Sequence, residues 1–266
     1  MKRRNQSESD KNAFFRYLPV NADALAWGAY VSSAGFTVVP PGAPYPPYRH
    51  PADHHFTWQK GRILSAFQFV YLEQGGGVFE SHESGRVLVG SGDLFVVFPG
   101  IWHRYRPDPE TGWIEYWLEF DGDYVRRLMK DNAFEPSRPV LKVGYSSELL
   151  HVYRSAFDII RGEPPHSHCL LGATAVQAVA LALSAVRRKR FEGRPIEEII
   201  REAKDLLSRT GQDAPRPEEI ADHVHLSYTT FRRIFKSYTG FSPGQYHLQL
   251  VMKQSCDMLR NTAKPI

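Results

Sequence analysis

The residue types best suited to chemistry lie in the segment Ile220–Gly240, which reads IADHVHLSYTTFRRIFKSYTG. Its second half separates apolar from basic side chains with the period of a helix. The apolar set is Phe231, Ile234, Phe235 and Tyr238, and the polar set is Thr229, Arg232, Arg233 and Lys236. One face of this helix is therefore expected to pack in a core, which leaves a basic face free to bind an anion.

The residues before this helix predict a helix-turn-helix. Ile220 and Val224 give a first helix its packing face, and small Ala221 allows a second helix to approach closely. The turn is expected at His225 and Leu226, and Ser227 suits the N-cap of the second helix because its hydroxyl can accept from the free backbone N–H groups.

Such a helix fits the major groove of DNA. Arginine can pair with guanine there and threonine can meet a base edge, whereas Lys236, nearer the helix end, is better placed for a phosphate. The segment from Leu226 to Ile266 carries six Lys or Arg residues against one acid, a local charge of +5 in a chain of +4 overall. The predicted DNA-binding residues are Ser227, Tyr228, Thr229, Arg232, Arg233 and Lys236.

The length and composition set the frame for this helix. With 266 residues, 42% hydrophobic and 23% charged, the chain suits two ordinary globular domains. Cys169 and Cys256 are far apart, so a reducing cytoplasm is expected, and the polar start MKRRNQSESDK does not resemble a signal peptide.

The stretch from Phe36 to about Tyr145 is predicted to be β. Short apolar or alternating runs are separated by turn signals such as Gly75-Gly76-Gly77 and Pro99-Gly100. The predicted strands are Ala66–Leu72, Val78–Glu80, Arg86–Val89, Leu94–Phe98 and Ile114–Phe120. This spacing favours a sandwich or a small barrel.

Helical spacing begins after Gly144 and continues to the end of the chain. Within it, Cys169–Val186 has no charged residue and could be interpreted as a membrane span. Its short length and high alanine content instead favour a helix packed between other elements or across a dimer interface. Further helices are predicted over Ile196–Leu207, Glu218–Val224, Tyr228–Tyr238 and Pro243–Asn261.

The C-terminal residues resemble the AraC family of transcription regulators. The resemblance rests on the first predicted helix of the motif, on Phe231-Arg232-Arg233-Ile234-Phe235-Lys236, on Gly240-Phe241-Ser242-Pro243 and on Tyr246. It implies that Pro243–Asn261 is a linker helix between two helix-turn-helix units. It also implies that the second unit falls outside these 266 residues, so that the DNA-binding domain is incomplete.

The β region resembles the cupin-like sensor half of the same family, through Gly92-Asp93-Leu94-Phe95, Pro99-Gly100, His103 and Tyr116–Gly122. The expected fold is α+β: a cupin-like barrel or sandwich with dimerisation helices, followed by the all-α DNA-binding domain. The predicted domains are an N-terminal arm over 1–35, a ligand-sensing domain over 36–145, a helical dimerisation segment over 146–190 and the partial DNA-binding domain over 191–266.

Alternation along Ile114–Phe120 places Trp113, Glu115, Trp117 and Glu119 on one face. If this face points inward, the indoles could stack on a sugar ring while the carboxylates accept from its hydroxyls; alternatively, the aromatics form the barrel core. The resemblance further implies Tyr105 as a pocket residue and Lys60 or Arg62 near the entrance. The predicted ligand-binding residues are Lys60, Arg62, His103, Tyr105, Trp113, Glu115 and Trp117.

A metal-dependent enzyme is the weaker alternative. The strand Ala66–Leu72 has no histidine, and the group His50, His54 and His55 lies in a proline-rich loop, so no metal or other cofactor is expected. The favoured interpretation is a cytoplasmic, homodimeric regulator that binds double-stranded operator DNA and a small effector, with RNA polymerase as a candidate partner and no membrane. A small-molecule binding protein without independent DNA binding is the other hypothesis.

Overall fold

A computed structural model of the chain describes residues 12–46, 57–132, 134–189, 196–209 and 215–261. The chain divides into two compact units, Met1–Arg190 and Phe191–Ile266, here called the N-terminal and C-terminal units. His50, His54 and His55 lie outside the described residues.

The N-terminal unit is built on an antiparallel sheet in which eight strands are described. Its main path runs β1-β2-β7-β3-β5-β8, and β4 and β6 both pair with the far half of β3. The strands are β1 Ala13–Tyr17, β2 Tyr30–Val39, β3 Phe67–Ser81, β4 Gly85–Gly90, β5 Asp93–Val97, β6 His103–Pro107, β7 Trp113–Asp121 and β8 Val140–Lys142.

The glycine triplet 75–77 lies inside β3, so the prediction of a turn there was wrong. The first half of β3 pairs with β7 and β5, the register shifts between Leu72 and Gln74, and the second half pairs with β4 and β6. A Cβ atom on Gly75 or Gly77 would collide with the backbone of the neighbouring strand connections. Glycine therefore lets one strand bend between the two parts of the sheet.

The sheet begins at Ala13 rather than at Phe36. β1 pairs with β2 from Ala13↔Thr37 to Tyr17↔Ser33, and β2 pairs in turn with β7. Between them lies the helix α1, Ala22–Trp27. Most of the predicted 1–35 arm that is described is thus part of the sheet or packed beside it, because its alternating apolar residues extend the same core.

Two apolar cores lie on opposite faces of this sheet. The outer core joins Phe69, Tyr71 and Leu118 to the helices, and the inner core joins Val70, Leu72 and Phe95 to side chains from β6 and β7. The helices are α2 Asp123–Asp131, α3 Ser147–Gly162 and α4 Ser167–Lys189. Of the predicted ligand-binding residues, Tyr105, Trp113 and Trp117 belong to this inner core.

The helix α4 is long and apolar enough to cross a membrane by length and composition. One side of it is nevertheless part of the outer core, where Leu171, Ala175, Val179 and Ala182 are buried against the sheet and α3. The prediction that this helix packs between other elements is confirmed for its buried side.

All regular secondary structure in the described residues of the C-terminal unit is helical. Its helices are α5 Ile196–Leu207, α6 Pro217–His223, α7 Tyr228–Thr239 and α8 Pro243–Asn261. Their shared core contains Ile200, Leu207, Ile220, Phe231 and Phe235, all at most 1% exposed. The predicted helices of this half are confirmed to within a few residues.

Candidate functional site

Strand β7 carries the polar groups of the inner core. Trp113, Glu115 and Trp117 face this core, while Tyr116 and Leu118 face the helices, as the alternation predicted. Trp117 lies across Gly35 of β2, where a Cβ atom would collide with its ring. Thus a glycine on one strand makes room for the indole on the next.

Glu115 is almost fully buried, with 4% of its surface exposed, and its carboxylate is bound by Tyr45. The Tyr45 hydroxyl lies 3.1 Å from Oε1 and 3.2 Å from Oε2. Burial raises the pKa of Glu115 to about 8, against smaller lowering effects of the Tyr45 hydrogen bond and the Arg62 charge. Glu115 is therefore largely protonated at neutral pH and can itself donate a hydrogen bond.

Arg62 binds three polar groups of the same interior. Its Nη2 donates to the Tyr105 hydroxyl at 2.6 Å and to Gln68 Oε1 at 3.1 Å. Its Nε donates to Nε2 of His103 at 3.3 Å. These contacts hold the guanidinium against the inner core, where a fixed cation favours an anionic or strongly polar ligand group.

His103 is neutral in this arrangement. Its Nε2 accepts from Arg62, so its Nδ1 carries the proton and donates to the carbonyl oxygen of Ile101 at 3.1 Å. Burial and the Arg62 charge together lower the pKa of His103 to about 3. A ring nitrogen bonded to a guanidinium does not suit a metal ligand, and no cluster of three metal-binding side chains occurs among the described residues.

The segment before Arg62 is held to the outer side of the barrel by Arg104 of β6. Arg104 donates to the Trp58 carbonyl oxygen at 3.0 Å, and its guanidinium carbon lies 4.3 Å from the centre of the Trp58 ring. It also pairs with Glu80 at 2.8 Å. Backbone hydrogen bonds between Arg62 and His103 complete this attachment, so the position of Arg62 is fixed by β6.

The remaining predicted residues differ in where they lie. Tyr105, Trp113 and Trp117 are buried in the inner core with Glu115, whereas Lys60 is exposed on the turn before Arg62. Tyr45 and Gln68 also belong to this interior but were not among the predicted residues. Gln68 could have been noticed as the polar residue of an otherwise apolar strand; Tyr45 is in a proline-rich loop without a recognisable signal.

A cleft of 390 Å³ opens beside this interior. It lies between the loop Pro40–Pro46, the turn 57–59 and the residues 106–109, and Tyr45 is part of its wall. The same tyrosine therefore lines the cleft and reaches the buried Glu115.

In the C-terminal unit, α6 and α7 form the predicted helix-turn-helix. The Leu226 N–H bonds to the Ala221 carbonyl at 2.9 Å across the turn, and His225 has a left-handed backbone with φ of 55°. The Ser227 hydroxyl accepts from the Thr230 N–H at 3.4 Å, which confirms Ser227 as the N-cap of α7. The helix ends at Gly240, whose φ of 84° suits glycine.

The two faces of α7 are separated as the sequence predicted, with one exception. Phe231, Ile234 and Phe235 are buried, but Tyr238 is 39% exposed. Tyr238 lies in the last turn of the helix. Its ring centre is 5.8 Å from Nζ of Lys204, and the ring does not enter the core. The exposed face comprises the predicted residues Ser227, Tyr228, Thr229, Arg232, Arg233 and Lys236.

The first turns of α8 brace this motif from behind. The Tyr246 ring lies 5.5 Å from the Phe235 ring, and His247 Nδ1 lies 2.8 Å from the Leu207 carbonyl oxygen. These contacts leave the basic face of α7 uncovered within the described part of the unit.

The architecture defines a ligand-binding barrel joined to a helix-turn-helix domain. Residues 41–178, more than half of the chain, match the family model of the AraC-like ligand binding domain. Residues 218–246 match the model of bacterial regulatory helix-turn-helix proteins of the AraC family. The chain belongs to the AraC family and is a transcription regulator with these two domains.

Relatives of known name are regulators too. The MmsAB operon regulatory protein of Pseudomonas aeruginosa is 22% identical over 82% of this chain and 70% of its own length. The lactose operon transcription activator of Staphylococcus xylosus is 21% identical over 72% of this chain and 69% of its own length. Among solved structures, the Escherichia coli protein YhaK has a TM-score of 0.31 and 14% identity over 45% of this chain and 51% of its own.

Proposed function

We propose that this regulator binds a sugar or sugar derivative inside its barrel and reads a specific operator with α7. The observation that carries the DNA-reading part is the exposed face of α7, which presents Arg232, Arg233 and Lys236 opposite the buried residues Phe231, Ile234 and Phe235. A helix of this kind is held rigidly from behind, so its basic side chains can enter the major groove without unfolding the motif.

Each residue of that face has a proposed role. Arg232 and Arg233, with Thr229, contact base edges, since arginine pairs with guanine and the threonine methyl can meet thymine. Ser227, Tyr228 and Lys236 lie at the two ends of the helix and contact phosphates. Specificity and overall affinity are thus assigned to different side chains.

The sugar proposal rests on the chemistry of the inner core. Trp113, Tyr105 and Trp117 offer aromatic surfaces to the C–H face of a ring, and Glu115 can accept from or donate to a hydroxyl. Arg62 and His103 supply further polar contacts, and the exposed Lys60 is proposed to contact the ligand near the entrance. The name of the lactose operon activator, a relative over 72% of the chain, favours the same ligand class.

We further infer a cytoplasmic homodimer that uses α4, with RNA polymerase as a partner. The exposed side of α4 carries the small or uncharged residues Ala173, Gln177, Ala180 and Ser184, which permit close approach of a second helix. Effector binding would then shift the population between two arrangements of the DNA-reading units.

Two experiments with the whole chain test this function. Selection from a random duplex library, with and without a monosaccharide panel, should enrich one sequence motif whose affinity changes with one sugar. Tryptophan fluorescence reports sugar binding directly, because all five tryptophans lie in residues 27–117. Failure to enrich any motif would contradict the DNA-reading proposal, and a sugar panel that leaves both readouts unchanged would contradict the effector class.

A matched pair of variants sharpens the second experiment. Trp117→Phe keeps an aromatic ring in the inner core but reduces the stacking surface, whereas Trp27→Phe changes an indole that is 56% exposed on α1. The proposal expects weaker sugar binding for the first variant and unchanged binding for the second. Equal binding by both would place the sugar elsewhere.

A further inference from the structure

Tyr45 occupies the centre of the proposed effector site. Its hydroxyl donates to Glu115, its ring meets the Trp113 ring edge-on at 5.5 Å, and its centroid lies 6.2 Å from that of Tyr105. A hydroxyl-bearing ring held between aromatic side chains and a buried carboxyl is the arrangement that a ring-shaped ligand would adopt in the same place.

The site also has a polar group that Tyr45 does not satisfy. Trp113 is 2% exposed, and its indole N–H, although it lies near the Glu115 carboxyl, makes no hydrogen bond of good geometry within the described residues. A buried N–H without an acceptor is costly, so such groups in native proteins call for a specific explanation. Here the indole N–H lies in the same interior as Tyr45 and Glu115, where a ligand oxygen could accept from it.

The segment that carries Tyr45 is separate from the sheet. It follows β2 and is joined to the turn after β6 by the hydrogen bond from the Gly42 N–H to the Pro109 carbonyl at 2.8 Å. Its outer side faces the 390 Å³ cleft. Within the described residues, the segment 40–46 takes part in no strand pairing, so separating Tyr45 from Glu115 breaks none of the described pairings.

We propose that Tyr45 is a built-in occupant of the effector site, and that an effector with a ring-borne hydroxyl binds by displacing its phenol from Glu115. The effector hydroxyl would donate to Glu115, and an effector oxygen would accept from the Trp113 N–H. This inference rests on the proposed function, because it takes the barrel interior as the effector site. The inference adds a competition between Tyr45 and the effector for Glu115. The larger the fraction of molecules in which Tyr45 occupies the site, the weaker the apparent affinity for the effector.

Two classes of compound fit this description of the effector, since both saccharides and phenols carry a hydroxyl on a ring. The first probe is 4-methylphenol, which reproduces the tyrosine side chain, and the others are methyl β-D-glucopyranoside and methyl β-D-galactopyranoside. If the Tyr45→Ala variant binds 4-methylphenol more tightly than either glycoside, the effector is a phenol. The reverse order indicates a saccharide.

The test compares the whole chain with its Tyr45→Ala variant by tryptophan fluorescence. The variant should bind 4-methylphenol at least about tenfold more tightly than the unchanged chain, because the competing phenol is gone. Tyr145→Ala, which removes a tyrosine that is 74% exposed, should behave like the unchanged chain. Equal affinity of the Tyr45→Ala variant and the unchanged chain, or no saturable binding to the variant, would overturn the proposal.

A second measurement tests the proposal without the Tyr45→Ala substitution, in case that variant does not fold. The unchanged chain is made with 3-fluorotyrosine at position 45 and titrated with 4-methylphenol to its solubility limit. The ¹⁹F resonance should move towards that of an exposed tyrosine, and a resonance that stays in place would reject displacement. Neither readout involves DNA, so failure of operator binding, which concerns the proposed function, is distinguishable from failure of this inference.

Discussion

The guanidinium of Arg62 donates from Nε to Nε2 of His103 across 3.3 Å, and the backbones of the two residues bond to each other in both directions. A cation thus sits permanently beside a buried imidazole. The pair fixes the tautomer of His103 and keeps the ring neutral, because a second positive charge there would face both desolvation and repulsion.

This pair predicts a loss of stability in acid. His103 has a pKa of about 3 when folded and 6.5 when unfolded, so below pH 6.5 the unfolded chain takes up a proton that the folded chain refuses. The free energy of unfolding should fall by about 2 kcal/mol between pH 6.5 and pH 5 from this group. Arg62→Met should reduce that fall, since removing the cation raises the pKa of the folded imidazole.

Urea unfolding followed by tryptophan fluorescence at the two pH values measures this dependence in the N-terminal unit. The comparison concerns the slope with pH, because Arg62→Met also loses the hydrogen bonds to His103, Gln68 and Tyr105 and lowers stability at every pH. An acid slope that is identical in the variant and the unchanged chain would mean that Arg62 does not act on His103.

Glu115 predicts the opposite trend in base. Its carboxyl has a pKa of about 8 when folded and 4.5 when unfolded, so between these values the folded chain holds a proton that the unfolded chain has released. Stability should therefore fall by about 2 to 3 kcal/mol as pH rises from 6 to 8. Glu115→Gln, which keeps an oxygen acceptor for Tyr45, should lack this fall. Parallel pH profiles of variant and unchanged chain would show that Glu115 is ionised in the folded state.

Gly35 leaves space for the Trp117 ring, so a side chain at position 35 should lower the stability of the N-terminal unit. Gly35→Ala places a methyl group against the Trp117 ring and the Phe14 carbonyl oxygen, neither of which can move freely. We expect a loss of about 1 to 3 kcal/mol in the urea unfolding of the N-terminal unit. Gly162→Ala, at the end of α3 with only Pro164 at 4.0 Å, is the control and should change stability little. A neutral Gly35→Ala would imply that Trp117 has an alternative position.

Local pattern was sufficient to predict the helices after Gly144 and the two faces of β7, but α1 and α2 lie in stretches that were predicted to be an arm and a β region. Each correct prediction depends on periodicity within one segment, as in α7, where apolar and basic residues alternate with helical spacing. The same reasoning failed at Gly75–Gly77, because three glycines in succession usually end a strand. Here the approach of the 106–112 backbone requires residues without side chains inside the strand.

Contacts between distant residues could not be predicted in this way. Tyr45 meets Glu115 across 70 positions, and Arg62 meets Tyr105 across 43. The resemblance placed Arg62, Tyr105 and Glu115 near one pocket, but no local pattern marks Tyr45. Tyr238 was misplaced for a related reason: it has the helical spacing of a core residue but lies beyond the point where the neighbouring helices cover α7.

Replacing Tyr238 or Phe235 by alanine should therefore cause very different losses of stability. Phe235 is fully buried between the rings of Phe231 and Tyr246, so Phe235→Ala should destabilise the C-terminal unit by about 3 to 5 kcal/mol. Tyr238→Ala should cost less than about 1 kcal/mol because that ring is partly in solvent. Far-UV circular dichroism during heating reports the helical unit, and equal losses would place Tyr238 in the core after all.

Arg232 and Lys236 should differ in how they bind DNA. Arg232→Ala is expected to weaken binding to the selected operator by about 1 to 3 kcal/mol and to relax base preference, because a base contact is lost. Lys236→Ala should weaken operator and random duplex alike and reduce the slope of log affinity against log salt by about 1, because a phosphate contact is lost. Fluorescence anisotropy at several salt concentrations separates the two, with Lys253→Ala on α8 as the control for general charge loss. Equal losses on operator and random duplex for Arg232→Ala would assign that residue to the backbone instead of the bases.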